Sequence, residues 1–71
     1  MTYQIWRKDA KLDEITADTE QQAANIFVRK INRTLIARKV PGSSISYDAW
    51  RKVGNNHSLT RVVTPFRVEG A

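Results

Sequence analysis

Apolar and polar residues alternate over residues 2–5, and the same spacing returns over residues 14–17 before the rhythm changes. In "TYQIWRK", Tyr3 and Ile5 share one side while Gln4, Trp6 and Lys8 share the other, the period of a half-buried strand. "DAK" is a polar connection with Asp9 as a turn former. "LDEITA" reads as the returning strand, with Ile15 and Ala17 on its apolar side. These residues predict an N-terminal hairpin.

The period then becomes helical. In "ADTEQQAANIFVRKINRTLIARK", steps of about 100° bring Ala24, Phe27, Val28, Ile31 and Leu35 into one stripe, the face that would cover a sheet. Asp18 is the expected N-cap, with Gln21 three residues on as in a capping box. Glu20 falls in the first turn, Arg38 and Lys39 in the last, and Pro41-Gly42 ends the element. Opposite the stripe, Arg29 and Arg33 are flanked by Ile26 and Ile36. That strip is either an ordinary solvated face with stray isoleucines or a docking surface.

Beyond "VPGSS", the segment "ISYDAWRKV" supports two readings. As a strand it turns Ile45, Tyr47, Ala49 and Val53 to one side; as a short helix it would be capped by Ser46 and ended by Gly54. The loop "GNNH" and the β-branched run "SLTRVVTPFRVE" favour a second hairpin. In the last strand Val62, Thr64, Phe66 and Val68 are expected to share a face, with Pro65 marking an edge or a bend. The predicted fold is α+β: a two-layer ββ-α-ββ domain over residues 1–71, with one helix packed on one face of an antiparallel sheet.

That layout gives the two tryptophans a shared position. Each begins the tripeptide Trp-Arg-Lys, at residues 6–8 and 50–52. Pleat parity points Trp6, Lys8, Trp50 and Lys52 away from the helix, and Arg61 and Arg67 join them by being out of phase with Val62, Phe66 and Val68. Indoles among cations suit single-stranded nucleic acid, because bases stack on the rings while the cations follow the phosphates. The same residue types make protein-binding hot spots. They also serve ordinary cross-strand packing under lysine stems.

Charge sharpens the picture. The net charge is +5, yet residues 1–20 hold Asp9, Asp13, Glu14, Asp18 and Glu20, whereas residues 21–71 hold only Asp48 and Glu69 against most of the lysines and arginines. The resulting field favours an acidic, phosphate-rich or nucleoprotein partner. Arg29, Lys30 and Arg33 form a second basic locus; read as mid-helix residues, they are not explained by the helix dipole.

Most chemistry is unsupported. There is no cysteine and His57 is the one histidine, a turn residue beside Asn55 and Asn56, so neither a metal site nor a nucleophilic triad is expected. Asp13 and Glu14 point to opposite faces of a strand and do not pair as acid and base. "PGSS" lacks the phosphate-cradling pattern. A 71-residue chain buries only about 60% of its unfolded surface, leaving little room for a pocket. The expectation is a non-enzymatic binding protein with no cofactor and no small-molecule substrate. With no apolar run of membrane-spanning length and no signal-like N-terminus, a cytoplasmic location away from membranes is expected. The alternative partner classes are a protein, with this chain as adaptor or inhibitor, and a second copy of the chain in a homodimer. In layout alone the chain resembles small hairpin–helix–hairpin proteins of phages and mobile elements, some anti-CRISPR inhibitors among them; that resemblance implies an inhibitor's role and assigns no residues.

Overall fold

The computed structural model describes residues 1–53 and 58–70, the side chains of residues 52, 53 and 58–64 excepted. The expected turn at residues 54–57, with His57, lies outside the described residues. The elements run β1 (Thr2–Arg7), β2 (Ala10–Thr16), α1 (Glu20–Ile31), β3 (Leu35–Lys39), β4 (Ser46–Val53) and β5 (Ser58–Gly70). They form one antiparallel sheet in the order β2-β1-β5-β4-β3, with α1 packed on one face. The α+β architecture expected from the sequence is the one observed, with one strand more.

The extra strand comes from the second half of the expected helix. Helix α1 stops at Ile31 because Asn32 adopts an extended conformation and folds its side chain onto the following turn. Asn32 Oδ1 accepts from the Thr34 N–H at 3.0 Å and from the Thr34 hydroxyl at 2.8 Å, and the Leu35 N–H reaches the Asn32 carbonyl at 3.1 Å. Local bonds of this kind compete directly with the helical ladder. Leu35 and Ala37 then alternate inward with exposed Ile36 and Arg38 outward. Pro41-Gly42, expected as a helix stop, instead turns β3 into β4: Gly42 sits at φ 83, and the Ser43 N–H closes onto the Val40 carbonyl at 3.1 Å. Proline followed by a left-handed glycine is what a type II turn requires.

The helix start is shifted by one residue. Ala17 still bonds across to Met1, at 2.9 and 3.1 Å, so the chain bends toward the helix only at Asp18 and Thr19. Thr19 is the N-cap and accepts the Gln22 N–H at 3.1 Å; Gln22 Oε1 reaches back to the Asp18 N–H at 2.7 Å. Gln21, released from capping, serves elsewhere.

The core lies between helix and sheet. Ala23, Ala24, Phe27 and Val28 descend from α1 onto Tyr3, Ile5, Ile15, Leu35, Ala37, Tyr47, Ala49, Phe66 and Val68, all buried. Phe66 is its centre, edge-on to Phe27 at 4.9 Å and stacked with Tyr47 at 6.3 Å between ring centroids. Ile31, expected in the buried stripe, is 53% exposed, because the helix ends with it and no described residue beyond covers it. Residues 46–53 are a strand rather than a helix. Strand β5 is central, not an edge. Proline is tolerated there because β1 pairs only with residues 67–70 and the ladder to β4 is irregular between Phe66 and Val63. That irregularity sets Val63, not Val62, across from Ala49.

Both outer strands are blunted. On β3, Gln21 Nε2 donates to the Ala37 carbonyl at 2.9 Å and Asn25 Oδ1 accepts the Ala37 N–H at 3.0 Å, so the helix occupies the edge. On β2, a bulge opposite Ile5/Trp6 interrupts the ladder, and Asp13 Oδ1 takes up the Glu14 N–H at 2.7 Å. Bulges, charges and covered backbone groups are the usual protections against edge-to-edge pairing.

Candidate functional site

With both edges blunted and the helix on one face, the sheet's second face is the broad surface left open. Pleat parity delivers the two indoles to it: Trp6 follows buried Ile5, and Trp50 follows buried Ala49. Both rings are half-buried and neither belongs to the core. They are not adjacent. Ser46, Arg67 and Trp6 form one row across β4, β5 and β1, and Trp50 lies further along β4, so strand rise and spacing put the two Cα atoms about 16 Å apart.

Their surroundings differ in charge. Trp6 donates through Nε1 to Gln4 Oε1 at 3.3 Å and stands across from Lys11 and Arg67. Both cations are engaged. Lys11 pairs with Glu14 at 3.6 Å; Arg67 pairs with Glu69 at 3.5 Å and donates to the Lys8 carbonyl at 2.8 Å. Lys8 lies in the hairpin turn with a left-handed φ of 53, rather than along the strand face. The Trp6 end is therefore a closed, charge-balanced patch.

The Trp50 end is different. Ile36 and Arg61 are its cross-strand neighbours, and the Arg38 guanidinium lies 5.2 Å from the indole centroid, a cation–π contact. Trp50 Nε1 is buried and makes no hydrogen bond with a described residue. Asp48, 5% exposed, is the acid of this end and stands across from Arg38. Ile36 is 41% exposed and completes an apolar and cationic patch. The side chains of Lys52 and Arg61 lie outside those described; their backbones are in β4 and β5, across from Leu59 and Trp50.

The helix-face residues separate as well. Because α1 ends at Ile31, Arg29 and Lys30 are the last-turn cations that answer the helix dipole, a role expected of Arg38 and Lys39, which are in β3. Lys30 is tied down, with Nζ 3.0 Å from Asp13 Oδ2. That ammonium, hydrogen-bonded to the carboxylate, holds the Asp13 carboxyl below its ordinary value, with the Glu14 N–H helping. Arg33 is exposed in the turn into β3. The expected docking strip does not exist as one helix face: Ile26 packs against the core, and Ile36 belongs to the opposite face of the sheet beside Trp50. Arg51, not singled out by the sequence, pairs with buried Leu35 and so emerges exposed on the helix side.

Among the described residues no helix is long and apolar enough to cross a membrane. Comparison with protein-family models, curated proteins and solved structures finds no match to the chain.

Proposed function

We propose that this is a non-enzymatic binding protein that takes single-stranded nucleic acid, free or within a nucleoprotein complex, on the Trp50 end of its open sheet face. The observation that carries the reading is the Trp50–Arg38 cation–π contact beside Ile36 at the basic end of the sheet. Bases stack on indoles and on guanidinium planes alike, at about 1–3 kcal/mol per base for the aromatic contacts. Arg38 supplies a plane and a charge in the same place. Trp6 is assigned to local packing, since the cations around it already have partners.

Tryptophan fluorescence tests the reading directly. An oligothymidylate should quench the wild-type protein at low salt, and quenching should persist in Trp6→Phe but vanish in Trp50→Phe. Absence of quenching in the wild type at low salt would remove the proposal. A second reading, a protein-binding adaptor or inhibitor, draws on exposed Ile36 beside Trp50 and Arg38, a combination common at protein hot spots. Ile36→Ser would weaken such a partner's binding strongly while leaving oligonucleotide affinity nearly unchanged.

A further inference from the structure

The basic residues near Trp50 do not all share its face. Trp50 and Arg51 are consecutive, so they leave β4 on opposite sides of the sheet. Arg51 pairs with Leu35 at the beginning of β3, where the turn carrying Arg33 and the last helical turn carrying Arg29 also lie. Arg29, Arg33 and Arg51 are exposed, and none forms an ion pair with a described residue. The helix dipole accounts for Arg29 in part. It accounts for neither Arg33 nor Arg51.

The edge strand β3, about 5 Å wide, flanks β4 and the Trp50 patch, and these arginines lie on its helix side. The helix covers that edge at Ala37, through Gln21 and Asn25; Arg33 stands at the beginning of the strand. Cations therefore lie on both sides of β3, with Arg38 toward its end on the open face and Arg33, Arg29 and Arg51 by its beginning on the helix side. A rigid duplex could not follow so tight a path, because smooth bending of DNA is resisted over a persistence length of about 50 nm. A flexible single strand could.

We infer that a single-stranded nucleic acid stacked on Trp50 turns over the beginning of β3, and that Arg29, Arg33 and Arg51 hold its phosphates on the helix side. This rests on the proposed reading of the Trp50 face and adds the ligand's path and its second contact. Acidic proteins are the competing occupants. Their charges are not evenly spaced along a flexible backbone as phosphates are, so the wrapped track favours the nucleic acid.

The test is the salt dependence of binding by an oligothymidylate of about ten nucleotides, within the usual range of single-strand sites. Each phosphate contact adds about 0.7 to the slope of log affinity against log salt for a single strand, so R29Q/R33Q/R51Q should flatten the slope by about 2. The amplitude of Trp50 quenching should be unchanged. Lys11→Gln, on the distant strand β2, should leave the slope as in the wild type. If the triple variant does not fold, Arg33→Gln alone, in an exposed turn, should flatten the slope by about 0.7. An unaltered slope with intact quenching would overturn the wrapped path while sparing the Trp50 reading; no quenching in the wild type would overturn both. Polyglutamate of similar length competing as well as the oligonucleotide would also overturn it, and would assign the helix-side arginines to an acidic protein.

Discussion

Replacing Gln21 and Asn25 together by alanine should loosen β3 and expose its edge. The two side chains hold both backbone groups of Ala37, at 2.9 and 3.0 Å, in a part-buried position. A part-buried bond of this kind contributes about 1 kcal/mol, and leaving its partner unsatisfied raises the loss, so the pair should cost about 2.5 kcal/mol. Alanine is the better helix former, which returns roughly 1 kcal/mol over two positions. The net loss is about 1.5 kcal/mol from a total that for a chain this size is roughly 4–10 kcal/mol. For so small a domain that corresponds to a fall in melting temperature of about 6–12 °C. Thermal unfolding followed by circular dichroism gives the first number. Sedimentation velocity at two protein concentrations gives the second outcome, since an uncovered edge should pair with other chains. A melting temperature at or above that of the wild type would refute the account of how β3 is held. A lower one without concentration-dependent association would refute the role of these side chains as an edge guard.

The core should tolerate almost no loss at Phe66, which bridges Phe27 and Tyr47. Phe66→Ala should cost about 3–5 kcal/mol and leave much of the chain unfolded, whereas Phe66→Leu should cost far less; urea denaturation separates the two. Lys30→Gln should remove about 0.5 kcal/mol at neutral pH, the usual worth of a partly exposed pair. Because the Asp13 carboxyl is held below its ordinary value, its contribution is present above the unfolded-state value and fades as pH falls through the lowered one, so the difference from wild type should vanish in acid. At the alkaline end, burial pushes the Tyr47 phenol up, with Glu20 and Tyr3 adding to the effect. Stability should therefore decline as pH rises from the unfolded-state value through the raised one. Tyr47→Phe should abolish that decline, which unfolding curves at pH 9 and pH 11 would show.

The two-residue period made the first hairpin and the orientation of both indoles legible, because each strand there has one wet and one dry side. Residues 32–39 misled for a specific reason: Leu35 satisfies the helical stripe of Ala24, Phe27 and Val28, and it also satisfies a strand in which Ala37 is its inward neighbour. The deciding residue is Asn32, whose bonds to Thr34 and Leu35 have no periodic signature. Pro41-Gly42 was readable as a stop but not as the kind of element it stopped. The charge asymmetry survives in part as a spatial one, with the charge-balanced β1–β2 hairpin at one side of the sheet and the basic β3–β4 at the other, while Asp18 and Glu20 sit at the start of α1. What no linear reading could supply was the distribution of partners. Lys30 with Asp13 and Arg67 with Glu69 and the Lys8 carbonyl depend on how the strands are placed, and they remove two of the expected contact cations from service. Ile36 reaches Trp50 only because β3 exists.

The strand order also fixes when the molecule can exist. Strand β5, which follows the other four in chain order, is the one in the middle, joining the β1–β2 hairpin on one flank to β3–β4 on the other. While β5 is still inside the ribosome, the two flanks share no sheet, only α1 lies across them, and there is no Phe66 to seat between Phe27 and Tyr47. Folding of the sheet therefore waits until β5 has emerged, and a cut that removes β5 divides it.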